Sequence, residues 1–195
     1  MYIVVRRGAF DTLAAAGEAV GAAAVACVRR HVADPAMEEW RPRPGKVVLR
    51  ARGGQWHELT GSYDGDVVAL PPRRRSERGP LLERMQAMTS ELAPPPSDEP
   101  SGDDFAYLLN PSIEMSSGKA LAQIAHAAVM AADSGNYEEW VAAGCPAAVV
   151  HPSAARFGEQ CRSPNLAAKV EDAGLTEVPP GTVTVLLTRR RRPAP

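Results

Sequence analysis

Aromatic residues are scarce in this chain, at 5% of the sequence against a hydrophobic fraction of 45%. A core of stacked rings is therefore excluded. Alanine supplies much of the apolar content, so the core is expected to be small side chains packed at short range. Cysteine is rare too: only Cys27, Cys145 and Cys161 occur. None forms a CxxC pair, and an odd number cannot make a complete set of intrachain disulfides, so reduced cytoplasmic thiols are expected. His151 precedes Cys161 by ten residues, which is not ligand spacing, so no metal site is expected. Long hydrophobic runs are missing, which excludes a membrane span. Arg6 and Arg7 interrupt the first apolar stretch before it resembles a secretory leader. A dominant charge is also absent, because the formal net charge is −1. That value hides an asymmetry: residues 1–89 hold 14 basic and 10 acidic residues, residues 90–104 hold five acids and no base, and residues 105–195 hold eight of each. Local patches, rather than the total, decide whether an anionic partner fits.

Proline is abundant and concentrated. "ELAPPPSDEPSGDD" (91–104) combines restricted backbone with mutually repelling acids and reads as an extended linker. The stretches beside it run in the same order. The first has "YIVVRR" (2–7), an alanine-rich helix (12–32), "EEW" (38–40) and "KVVLRA" (46–51); the second has "FAYLLN" (105–110), "SSGKALAQIAHAAVMAA" (116–132), "EEW" (138–140) and "AAVVHP" (147–152). The glycine at each helix start, the tryptophan and the second strand recur at offsets of 100 or 101, and "ALPP" (69–72) parallels "EVPP" (177–180). The pattern predicts a duplication. In the second half the spacing predicts strands at 105–110, 147–151, 167–172 and 182–188, with helices at 117–132 and 136–143 and an irregular or helical stretch at 153–161. The expected fold is α/β, a mixed four-stranded sheet with helices on both faces, duplicated as a pseudo-dimer. The expected units are 1–90, the linker 91–104, 105–188, and a loose basic tail 189–195.

On a helix over 117–132, Leu121, Ile124, Ala125, Ala128 and Val129 share one face, while Lys119, Gln123, His126 and Met130 form a column on the face away from the sheet. Ser116 or Ser117 is the expected N-cap, and Gly118 allows close backbone approach. Lys119 stands where the helix dipole is already positive, so the tip is expected to hold a phosphate or carboxylate. In "VEDAGLTEVPPGTVTVLL" (170–187), Asp172 ends a strand, and Asp172, Thr176 and Thr184 are expected to converge at one end of the sheet.

Taken together, "MSSGKALAQIAHAA" and "DAGLTEVPPGTVTVL" resemble the type 2, archaeal and eukaryotic, class of peptidyl-tRNA hydrolases over about residues 105–188. The resemblance implies a small α/β domain, often dimeric, that cleaves the ester between a peptide and the terminal ribose of tRNA without a cofactor. By position it implies a functional lysine at Lys119, an aspartate at Asp172 and threonines at Thr176 and Thr184, with Gln123 and His126 on the helix face. The chain departs from the family at Asn110 and Ser112, at Ser117 where a lysine is usual, and at His151, also a lysine position. Peptidyl-tRNA is the implied partner, with the first half supplying tRNA affinity through Arg73, Arg74 and Arg75 beside Arg78; Arg29–Arg30, Arg41 to Arg52 and Arg189–Arg192 are further basic patches. The alternatives are a non-catalytic tRNA-binding homologue and a protein-interaction domain, on either a monomeric pseudo-dimer or a homodimer.

Overall fold

The computed structural model describes residues 1–61, 65–89, 92–97 and 104–190. The β-branched stretch Tyr2–Arg6 forms β1. Helix α1 (Leu13–Arg30) follows, capped by Thr12, whose hydroxyl accepts from the Ala15 amide. Asp34 caps α2 (Pro35–Trp40), which carries proline in its first turn and leads to β2 (Val47–Ala51). Helix α3 (Gly53–Thr60), β3 (Val67–Leu70), a 3₁₀ turn (Arg75–Glu77), α4 (Gly79–Glu83) and a short β4 (Gln86–Ala87) complete the first half. The second half comprises β5 (Phe105–Leu109), α5 (Ser117–Asp133), α6 (Glu138–Ala142), β6 (Ala148–Val150), α7 (Ala154–Gln160), β7 (Leu166–Glu171) and β8 (Val183–Arg189).

Each half contributes one mixed four-stranded sheet, in the orders β3-β1-β2-β4 and β6-β5-β8-β7. In both, the first strand pairs parallel with the second (β1 with β2, β5 with β6) and antiparallel with a later one (β3, β8). The halves then diverge. β4 adds to the outer edge of β2, whereas β7 adds to β8.

Side-chain alternation assigns the layers. Ile3, Val5 and Val48 of one sheet, and Tyr107, Leu109, Val149, Val185 and Leu187 of the other, share a single core with α1 and α5. Tyr2, Val4 and Leu49 point the other way, onto Trp56 of α3 and Leu82 of α4. Ala106, Leu108, Val150 and Leu186 face Phe157 of α7. Each sheet therefore has helices on both faces, and the paired helices α1 and α5 lie between the sheets.

The alanine-rich composition is what allows this. Helix α1 approaches the second sheet so closely that a Cβ on Gly21 would lie 2.6 Å from the Tyr107 hydroxyl. Gly17 faces Ile124 near the helix starts, and Arg29 reaches the Ala132 carbonyl and Glu138 near their ends. So α1 and α5 run in the same direction. Their N termini, and the C-terminal ends of β1, β2, β5 and β6, gather at one end of the molecule.

The tryptophans (Trp40, Trp140) and the second strands (Val47, Ala148) keep offsets of 100 and 101, while the first strands start 103 residues apart (Tyr2, Phe105) and the long helices 104 (Leu13, Ser117), because the loops differ. Two expectations change. The "ALPP"–"EVPP" match does not correspond: Pro71 and Pro72 follow β3, whereas Pro179 and Pro180 precede β8, which has the antiparallel place of β3. Finally, β8 extends through Arg189, and Arg190 still donates its amide to the Asp104 carbonyl, so the tail does not begin loose. Residues 91 and 98–103 of the linker, and residues 191–195, lie outside the described residues. No helix among the described residues is long and apolar enough to cross a membrane.

Candidate active site

Helix α5 begins where Ser116 caps it, its hydroxyl oxygen accepting from the Lys119 amide at 3.1 Å. This puts Lys119 in the first turn, facing the end of β7. Strand β7 stops at Glu171, and Asp172 follows. There the backbone reverses through Gly174, which has a positive φ of +74°; a Cβ at Gly174 would meet the Pro180 nitrogen at 2.5 Å. Only glycine makes that turn without moving the Pro-Pro segment.

The Lys119 ammonium donates to Asp172 Oδ2 at 2.6 Å and to Thr176 Oγ1 at 2.8 Å. Both charged side chains are nearly buried, 10% and 8% exposed. Asp172 is held from every side. Its Oδ1 accepts the Gly174 amide at 2.8 Å, and its Oδ2 also accepts Gln123 Nε2 at 2.7 Å. Gln123 is oriented in turn by Thr184, whose hydroxyl donates to Gln123 Oε1 at 3.1 Å, with the Val170 carbonyl at 3.3 Å as its other acceptor. Burial acts to raise the Asp172 pKa. The Lys119 hydrogen bond, the Gly174 amide, the Lys119 charge and the Gln123 amide outweigh it and hold the carboxyl below its ordinary value. Asp172 is thus an anchored anion and a weak base.

The structure therefore brings Lys119, Gln123, Asp172, Thr176 and Thr184 into one network. Gln123 does not face away from the sheet as the helical wheel predicts: it is buried against β8, because α1 and the first sheet pack α5 from the other side. Of the column only Met130 is exposed, at 40%. His126 is half-buried, and its side chain makes no hydrogen bond among the described residues. Desolvation, and then the charge of Lys46, push its pKa down to about 4, with Asp172 opposing. His151 follows β6 at the same end of the molecule, and its side chain is exposed. Arg73, Arg74 and Arg75 lie at the opposite end. Strand β3 runs antiparallel to β1, so the chain leaves it beside Tyr2, near Trp40. There the Arg74 guanidinium lies 3.4 Å from the Glu39 carboxylate, and the Arg74 backbone amide donates to Glu77.

Sequence reasoning missed Glu177. Its carboxylate accepts the Ser116 amide and the Ser116 hydroxyl, each at 2.7 Å, so it clamps the loop after Thr176 onto the tip of α5. The tip is thus occupied by this chain's own carboxylates. No spacing rule points to Glu177; only its place beside Thr176 does. Ser117 is 5% exposed, and its hydroxyl oxygen accepts the Leu92 amide at 3.2 Å, so a segment of the first half covers this position. Asn110 bridges the start of β8 to the next turn, donating to the Val183 carbonyl and accepting from the Ser112 amide.

Residues 105–193 match the family model described as "Peptidyl-tRNA hydrolase PTH2". A peptidyl-tRNA hydrolase of Staphylothermus marinus is 37% identical over 90 residues, covering 40% of this chain and 74% of the relative. The chain belongs to the type 2 peptidyl-tRNA hydrolase family. Among solved structures, none matches it. The family match begins at β5, so the first half, with its own sheet, stands outside it.

The depressed His126 pKa gives a signed prediction. A histidine of ordinary pKa 6.5 in the unfolded chain takes up a proton before the folded one does. Folding stability should be full above about pH 6.5 and fall as the pH drops towards 4. Denaturant unfolding of the wild type and of His126→Gln across this window should show a steeper loss in the wild type; parallel curves would contradict it.

Proposed function

We propose that the chain hydrolyses the ester joining a peptide, or an N-blocked amino acid, to the terminal ribose of tRNA, freeing the tRNA for reuse. One observation carries this reading. The Lys119 ammonium has three N–H donors and uses two, on Asp172 and Thr176. The Thr176 hydroxyl accepts from Lys119 and keeps its own hydrogen. The two groups are thus a pair of adjacent donors, fixed in advance and suited to the oxygen on which negative charge develops when water adds to an ester carbonyl.

Asp172 has a different task. Held below the ordinary carboxylate range, it is poorly suited to pull a proton from water, but it holds the Lys119 ammonium in place. One acceptor position on Oδ1 remains to orient the attacking water. Thr184 is fully buried, so it is a positioning residue acting through Gln123. Addition of water breaks the acyl–oxygen bond; the peptide leaves as a carboxylic acid, and the ribose oxygen takes the proton. Family membership supports the substrate class.

The first 90 residues stand in this reading as a diverged second copy, where a partner subunit would lie in a dimer. Two tryptophans support it. Trp40 of α2 donates its indole N–H to the Gly45 carbonyl just before β2, and Trp140 of α6 donates to the Pro146 carbonyl just before β6. The shared pairing of β1, β2 and β3 with β5, β6 and β8 supports it further. Residues 91–104 join the copies, and 105–188 form the hydrolase unit.

Lys119→Ala should lower the rate of release of the blocked amino acid from N-blocked aminoacyl-tRNA by about 10²–10³ with the fold intact; wild-type turnover in that variant would refute the assignment. Light scattering should give the mass of one chain, and a stable dimer would contradict the second-copy reading.

A further inference from the structure

Residues 88–89 and 92–97 leave the first sheet and cross to the second half at the end of the molecule that holds Lys119. Met88 is anchored first, its amide donating to the Val48 carbonyl of β2 at 3.0 Å. Leu92 donates its amide to the Ser117 hydroxyl at 3.2 Å. Ala93 pairs with the approach to α1: its amide donates to the Asp11 carbonyl and its carbonyl accepts the Leu13 amide, each at 2.9 Å. The Pro96 carbonyl accepts the His151 amide at 2.9 Å, just past β6. Successive prolines restrict the unfolded chain as well, which lowers the entropy lost on holding the segment there. Part of what the sequence marks as a spacer is thus a strap tied to α1, α5 and β6.

The strap meets the first turn of α5 backbone to backbone. A Cβ at Gly118 would lie 2.1 Å from the Met88 carbonyl oxygen and 2.9 Å from its carbon. The tip of a side chain could swing aside from such a contact; a peptide whose amide is held by β2 cannot. Gly118 is therefore required by the strap and not by its own helix, where glycine costs about 1 kcal/mol against alanine. Ser117, 5% exposed, lies beneath Leu92. Lys119 is the residue after Gly118. On the other side of the same turn, Glu177 accepts the Ser116 amide and hydroxyl. The turn that carries Lys119 is thus gripped both from the first half and from the Asp172 loop.

We propose that the Met88 peptide, pressed on Gly118, and the Leu92 amide, acting through Ser117, position Lys119 for the reaction. The first half, which lies outside the family match, sets where the first turn of α5 stops, and so holds the ammonium within reach of Asp172 and Thr176 at once. This rests on the hydrolase reading for what the ammonium acts on. A catalytic group misplaced by about 1 Å can lose about 10²-fold in rate. Hydrogen bonds of 2.6 and 2.8 Å leave no slack for such a shift. Met88, Leu92, Ser117 and Gly118 are positioning residues, each acting through Lys119.

The test compares two glycines at which an added methyl presses the halves apart. Gly118→Ala pushes on Met88 beside Lys119, whereas Gly21→Ala pushes on the Tyr107 hydroxyl from the middle of α1. Gly118→Ala should lower kcat on an N-blocked aminoacyl-tRNA by about 10–100-fold with KM little changed. Gly21→Ala should lower Tm and keep the wild-type kcat. Ser117→Ala, which removes the acceptor for Leu92 and adds no bulk, should lower kcat a few-fold. In the Lys119→Met background, Gly118→Ala should add no further loss. The proposal is overturned by a wild-type kcat in folded Gly118→Ala (or in Ser117→Ala, should the first variant not fold). An equal loss of kcat in Gly21→Ala, or a full loss from Gly118→Ala on top of Lys119→Met, also overturns it. Unfolding separates this from the hydrolase reading. Lys119→Met should lower Tm more in the wild type than in the Gly118→Ala or Ser117→Ala background, where the displaced lysine no longer makes the pair; equal shifts would overturn the positioning. Absence of turnover by the wild type would overturn the hydrolase reading, and the unfolding comparison would still decide the positioning.

Discussion

A buried ammonium touching a buried carboxylate is the constraint from which the rest of this end of the molecule follows. Lys119 and Asp172 come from elements 53 residues apart and meet at 2.6 Å with little solvent around either. Removing two charges from water costs several kcal/mol each, and the cost is recovered only if the geometry is good and the remaining hydrogen-bonding positions are filled. The local structure meets that demand. Gly174 turns its amide onto the carboxylate, Gln123 supplies a second neutral donor, Thr184 fixes Gln123, and Glu177 ties the loop to the helix cap. Without these groups the pair would be a liability; with them it holds one lysine in a fixed direction.

The packing of the helices serves the same end. Helix α5 is buried on nearly all sides, between its own sheet, α1 and β2. Such a helix must be lined by small residues, and the run of alanines in 120–132 is that lining. Encasement keeps the axis of α5 fixed, and in its first turn only the Lys119 side chain keeps a little exposure. The first half thus contributes more than bulk: through Met88 and Leu92 it covers Gly118 and Ser117 directly.

Much of this was legible in the sequence. The strands and helices of the second half follow their apolar periodicity closely, because β5 and α5 are long enough for the pattern to be unambiguous. Ser116 as cap, Gly118 as a point of close approach and Gly174 as a sharp exit follow from what those residue types permit. Other features depend on partners that one segment cannot reveal. The burial of Gln123 required knowing that α1 covers the other side of α5. The separation of Arg73–Arg75 from Lys119 required knowing that β3 is antiparallel to β1. Glu177 acts through a loop whose path is set by Pro179 and Pro180, and no periodicity marks it.

The central claim is that Lys119 and Asp172 act as one unit, and a double-mutant cycle on kcat/KM tests it most directly. Lys119→Met, Asp172→Asn and the double variant would be compared with the wild type on one blocked aminoacyl-tRNA. The account predicts that the double variant is about as impaired as the worse single variant, because either change alone already dissolves the pair. Losses that simply multiply would show two independent groups and contradict it.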